Sequence, residues 1–100
     1  MIVARNVFHL KFGKMKEAKE LWKTGMEIQR KSGASALPTR MLSDVTGRYY
    51  TLVLEVSAES MGDFEKHYQP LSQSKEWQDW YAKFSELVLD GYREILQEVK

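Results

Sequence analysis

Asn6 carries the clearest chemical signal in this chain, because it interrupts a run of otherwise apolar positions. From Ile2 to Phe12 the residues alternate, with Ile2, Ala4, Asn6, Phe8, Leu10 and Phe12 on one face and Val3, Arg5, Val7, His9 and Lys11 on the other. An amide on the apolar face must be satisfied by backbone, by water or by a ligand. His67 and Tyr68 form a second candidate group, since an imidazole beside a phenol just before Pro70 is placed to move a proton over a cleft. A solvent-exposed side chain is the plainer expectation for His67. Tyr81 is the third candidate, within the stripe Trp77, Trp80, Tyr81 and Phe84. Three residues advance a helix by about 300°, so Trp77 and Trp80 diverge, and one of them can face a cleft while the other faces the core. With Phe8, Trp22 and Tyr68, these tryptophans are the expected lining for a small hydrophobic or aromatic ligand.

Other chemistries lack their residues. Cysteine is absent, which excludes disulfides, thiolate catalysis and cysteine-held metals. Two histidines on separate elements, without paired carboxylates at a usual spacing, make no metal site. Glycine-rich phosphate loops and nucleophile–base pairs are missing too. A formal net charge of +1, with lysines and arginines scattered among acids, provides no basic field for a nucleic acid. The opening residues contain no long apolar run and no segment approaches a membrane span, so a cytoplasmic protein without a membrane partner is expected.

The elements that position these residues follow from periodicity. One hundred residues with 43% apolar content make a single domain, 1–100. The alternating first strand ends at Gly13-Lys14. Met15, Ala18, Leu21, Trp22, Gly25, Met26 and Gln29 then follow helical spacing up to Ser32-Gly33, where glycine supplies the left-handed cap. Ala36 to Val45 reads as a second strand that Pro38 pushes to a sheet edge. Arg48 to Val56 reads as the third, with Tyr50, Leu52, Leu54 and Val56 toward the helices. Ser60-Met61-Gly62-Asp63 has the form of a capping box opening a short helix that Pro70 interrupts. Ser74 is a fresh N-cap for an aromatic helix running to about Leu89, and Tyr92 to Val99 is the last strand. Arg5, His9, Tyr49, Thr51 and Glu55 fall on the sheet face away from the helices, as a polar lining in which Arg5 or His9 meets Glu55.

With Lys11-Phe12-Gly13-Lys14 ending the first strand, Ser57-Ala58-Glu59-Ser60 following the third, and Ser74-Lys75-Glu76-Trp77 opening the last helix, the chain resembles the dimeric α+β barrel superfamily over nearly its whole length. That superfamily includes antibiotic-biosynthesis-monooxygenase-like and NIPSNAP-like proteins. The resemblance implies an α+β, ferredoxin-like βαββαβ antiparallel sheet with two helical segments on one face. The first strand would lie between the third and fourth, and two sheets would pair across a homodimer. It also implies a ligand cleft between sheet and helices, used in different members for cofactor-independent oxygenation, haem degradation, isomerisation or no known reaction. In the haem-degrading branch an asparagine seven residues before the strand-ending glycine contacts the bound substrate or oxygen, a spacing that Asn6 and Gly13 resemble. That branch holds haem with a histidine on the last helix, and the matching position here is Tyr81. The leading expectation is therefore a monooxygenase without a cofactor, in which Asn6, His67 and Tyr81 position a small aromatic or polyketide-like compound and move protons. Haem binding or degradation, and a non-catalytic ligand-binding or assembly role, are the alternatives.

Overall fold

The computed structural model describes residues 1–34 and 36–100. The alternating start forms β1 (Ile2–Leu10), and the amphipathic stretch after it forms α1 (Met15–Lys31). They are followed by β2 (Thr39–Ser43), β3 (Thr51–Ala58), α2 (Met61–Ser72), α3 (Lys75–Ser85) and β4 (Val88–Gln97). The strands make one antiparallel sheet in the order β2-β3-β1-β4, so β1 is central and the Pro38-preceded β2 lies at an edge. This is the α+β ferredoxin-like βαββαβ arrangement expected from the sequence.

Parity decides the two sheet faces. Ala4, Leu10, Leu52, Leu54 and Val56 are buried in one cluster with Ala18, Trp22, Phe64, Trp80 and Phe84 from the helices. Arg40, Glu55, Arg5 and Glu94 stand in one row across the opposite face, beside a second row of Leu42, Val53, Val7 and Tyr92. Glu55 pairs with Arg40 at 2.7 Å and with Arg5 at 3.4 Å. His9 bonds instead to Asp90, whose carboxyl is held below its usual range first by that bond and then by Arg48. Of the two expected partners for Glu55, Arg5 is the one that meets it.

Several boundaries differ from expectation for identifiable reasons. The third strand starts at Thr51 rather than Arg48, because Tyr50 is left-handed with φ 58° and cannot continue a strand. Its carbonyl accepts from Leu10 N–H at 2.9 Å, which fixes the corner. The second strand shortens to Thr39–Ser43, with the Asp44 side chain accepting from Thr51 N–H to close the turn. Pro70 does not stop α2. It lies near the end of the helix, where its missing N–H forfeits one bond, and the helix ends two residues later at Ser72. Ser74 caps α3 as expected, accepting from Trp77 N–H at 3.2 Å. That helix ends at Ser85, however, and residues 88–91 join β4, since Lys11 N–H bonds to the Leu87 carbonyl and Val88 pairs with Leu10. Gly91 is needed there, because a Cβ would lie 2.5 Å from the Val7 carbonyl oxygen.

The helical layer is locked at one point. Gly25 presents bare backbone in the middle of α1, and the six-membered ring of Trp80 lies against it: a Cβ at Gly25 would come within 2.5 Å of Trp80 Cζ2. The Trp80 indole N–H donates to the Leu21 carbonyl at 2.7 Å. An alanine in an exposed helix normally stabilises by about 1 kcal/mol relative to glycine. Here Gly25→Ala should destabilise by about 2 kcal/mol or more, through overpacking and disturbance of the buried indole bond. Gly62→Ala in α2, where the added carbon would have ordinary contact at 3.7 Å, should be neutral or stabilising. Urea denaturation of both variants checks the pair; equal, stabilising effects would contradict this packing.

Candidate functional site

The residues that keep the helices from closing fully on the sheet enclose a cavity of about 210 Å³. Asn6 and Phe8 reach it from β1, Leu54 from β3 and Arg93 from β4, all on the helix-facing parity. Trp22 and Gln29 face it from α1, Tyr68 from α2, and Trp77 and Tyr81 from α3. The rings meet edge to face or tilted, with centroids at 6.3 Å for Phe8 and Trp22, 6.2 Å for Trp22 and Trp77, and 6.1 Å for Trp77 and Tyr81. These are ordinary aromatic packing geometries, and the slot lies between these rings and the sheet. A wider groove shares Tyr68, Trp77 and Arg93 with the cavity and continues it toward Met61, Phe64 and Glu65.

The polar groups converge on this slot. Burial pushes the Tyr68 phenol above its ordinary value, against the opposing influence of the Arg93 charge and of hydrogen bonding with Asn6. Tyr81 is shifted up in the same way, by burial first, with Arg93 again opposing. Both phenols are therefore protonated at neutral pH and can donate. The Trp22 indole N–H is buried without a hydrogen-bond partner among the described residues, on a side chain only 2% exposed. A buried orphan donor costs free energy; this one has almost no accessible surface, so it is the face of the Trp22 ring and not its N–H that the cavity meets.

Six of the residues singled out in the sequence come together here: Asn6, Phe8, Trp22, Tyr68, Trp77 and Tyr81. Trp80 does not line the cavity; its place over Gly25 puts it in the core behind Trp77. His67 is buried at 4% exposure, contrary to the exposed side chain expected. It lines a separate cavity of about 360 Å³ with Met26, Leu37 and Thr39, because the helical turn that aims Tyr68 at Asn6 rotates its neighbour away. Gln29 touches both cavities. Gln29, Leu54 and Arg93 were not singled out as site residues. Gln29 carries the same signal as Asn6, an amide on an apolar stripe. Arg93 becomes a cavity residue only through its pairing with Asn6 across the sheet.

These residues do not fit haem. The last-helix position carries Tyr81, a half-exposed phenol that is protonated at neutral pH, and His67 lies in the other cavity. Among the described residues no group of three or more His, Cys, Asp or Glu side chains could hold a metal ion. No described helix is long and apolar enough to cross a membrane.

No protein-family model matches the chain, and no curated protein matches it. Solved structures do. An uncharacterized NIPSNAP domain protein from Burkholderia xenovorans superposes with a TM-score of 0.85 at 14% identity, covering 99% of this chain and 95% of its own. A NIPSNAP family protein from Agrobacterium tumefaciens gives 0.84 at 21% identity, covering 98% and 85%. A structure described as an antibiotic biosynthesis monooxygenase gives 0.74 at 12% identity over the full length of both chains. Identities this low establish architecture, and they establish it over nearly the whole chain: the protein has the ferredoxin-like fold of the NIPSNAP and antibiotic biosynthesis monooxygenase structures.

Proposed function

We propose that this protein is a homodimer that takes a small aromatic or polyketide-like compound into the Asn6 cavity of each subunit and acts on it as a cofactor-independent monooxygenase. The observation that carries the reading is the cavity itself: an aromatic slot touching Asn6, with two neutral phenols directed at the same space. Trp77, Trp22 and Phe8 would hold the ring and exclude water. The Asn6 amide and the Tyr68 and Tyr81 hydroxyls would donate to a substrate oxygen as negative charge builds on it, which is the kind of preorganised stabilisation that lowers barriers most. His67 has no direct part in this scheme, because it lines the other cavity. The likeness in fold to the structure described as an antibiotic biosynthesis monooxygenase favours oxygenation over other reactions on such a compound.

The dimer rests on the open sheet face. Its row runs Arg40, Glu55, Arg5, Glu94, alternating in sign across the four strands. Laid against a second copy related by a twofold axis along the strands, that row meets its own reverse, so acid faces base at every position. The adjacent apolar row of Leu42, Val53, Val7 and Tyr92 would be covered at the same time.

Two measurements test this reading. Sedimentation should show a dimer at micromolar concentration, with an interface on the order of 1,000 Å² or more, and Val53→Asp should split or unfold it; a stable monomer of the unmodified chain would defeat the assembly. For the cavity, a panel of single-ring phenols and naphthols should quench tryptophan fluorescence and, for the reactive members, draw down dissolved oxygen. Asn6→Leu should abolish both while changing stability by no more than about 1–2 kcal/mol. Equal binding by the variant and the unmodified protein would remove Asn6 from the site.

A further inference from the structure

Arg93 is unlike the other arginines of this chain. Arg5, Arg30, Arg40 and Arg48 each have a carboxylate within ion-pairing distance. Among the described residues Arg93 has none. Its guanidinium carbon lies 5.0 Å from the Phe64 ring centroid and 5.5 Å from that of Tyr68. Aromatic faces hold a guanidinium in place without consuming its N–H donors, which remain free to fork onto an oxyanion. The inner cavity that Arg93 lines contains no carboxylate, and Glu65, in the outer groove, makes no ion pair with it. Every other polar group there, from Asn6 and Gln29 to the Tyr68 and Tyr81 hydroxyls, can donate a hydrogen bond. Arg93 stands exposed at the rim of the slot, so an unpaired cation at the mouth, with several donors and no acid in the inner lining, favours negative charge there.

Size narrows the class further. An apolar cavity of about 150 Å³ is enough for benzene, so about 210 Å³ admits one substituted ring, with any larger portion left in the outer groove. We propose that the ligand is an aromatic oxyanion, a carboxylate or phenolate on a single ring, whose charge Arg93 pairs at the mouth of the Asn6 cavity. This rests on the reading of the cavity as an aromatic-ligand site and adds the charge of the ligand and the residue that reads it.

The test compares benzoate with benzamide, its neutral counterpart, by calorimetry on the unmodified dimer, Arg93→Gln and Arg93→Lys. Benzoate should bind the unmodified protein about tenfold or more tightly than benzamide, as expected for a charge-assisted contact. Arg93→Gln should erase the difference by weakening benzoate about tenfold or more, far more than it weakens benzamide, and Arg93→Lys should keep part of it. 4-Nitrophenol titrated below and above its own pKa separates phenolate from carboxylate preference. Equal binding of benzoate and benzamide to the unmodified protein, or a preference that survives Arg93→Gln, overturns the assignment and leaves the aromatic cavity intact. Binding of neither, nor of any compound in the phenol panel, overturns the cavity reading and this one with it.

Discussion

The seat of Trp80 on Gly25 is the contact on which the rest of the architecture depends. Helices lying on a sheet usually touch through side chains and stand 8–10 Å apart at their axes. Here a glycine in α1 lets an indole from α3 lie against bare backbone, and the Leu21 carbonyl receives its N–H. Trp80 then becomes a fixed plate. Trp77 stacks on one side of it with centroids 4.8 Å apart, Phe84 stacks at 5.6 Å, and Trp22 meets it edge-on at 4.6 Å. The two tryptophans that line the cavity are thus held by one that does not, and the slot keeps its shape because its wall is braced from behind.

The two faces of the sheet solve opposite problems. On the helix side, the polar groups of Asn6, Gln29 and Arg93 are kept beside a cavity, where a ligand or water can satisfy them. On the open side, the charges neutralise one another in a row, and Glu55 takes two arginines on a side chain only 15% exposed. Pairing of this kind lowers the cost of covering the face with protein, since a buried charge left single is far more expensive than one already matched. Central β1 serves both faces through strict alternation: Asn6 belongs to the cavity, and its neighbours Arg5 and Val7 belong to the open face.

Much of this was legible because alternation and helical spacing are local. Parity alone put Asn6 under the helices and brought Arg5 and His9 to the same face as Glu55 without choosing between them, and helical spacing divided Trp77 and Trp80 between cleft and core without saying which took which. Ser74 and Ser60 marked two helix starts because capping depends on a few adjacent residues. The misplaced boundaries lie where a distant partner decided the outcome. Residues 87–89 suit a helix end or a strand start, and the bonds from β1 settled the matter in favour of a strand. Tyr50 takes a glycine-like conformation that nothing in its own composition signals. Arg93 joins the site only through the register of β4 with β1, and His67 leaves it because successive residues on a helix point about 100° apart.

In the proposed site the ligand enters beside Trp22 and not on the open sheet face. Two-dimensional 15N NMR of the protein, titrated with benzoate, addresses it through the three indole N–H signals and the backbone amides. The Trp22 indole signal, from a ring that lines the cavity, should move most through the ring current of the bound ligand, while the Trp80 indole signal, bonded to Leu21, should stay nearly fixed. Shifts confined to Val7, Val53 and Tyr92, with the Trp22 signal unmoved, would contradict it.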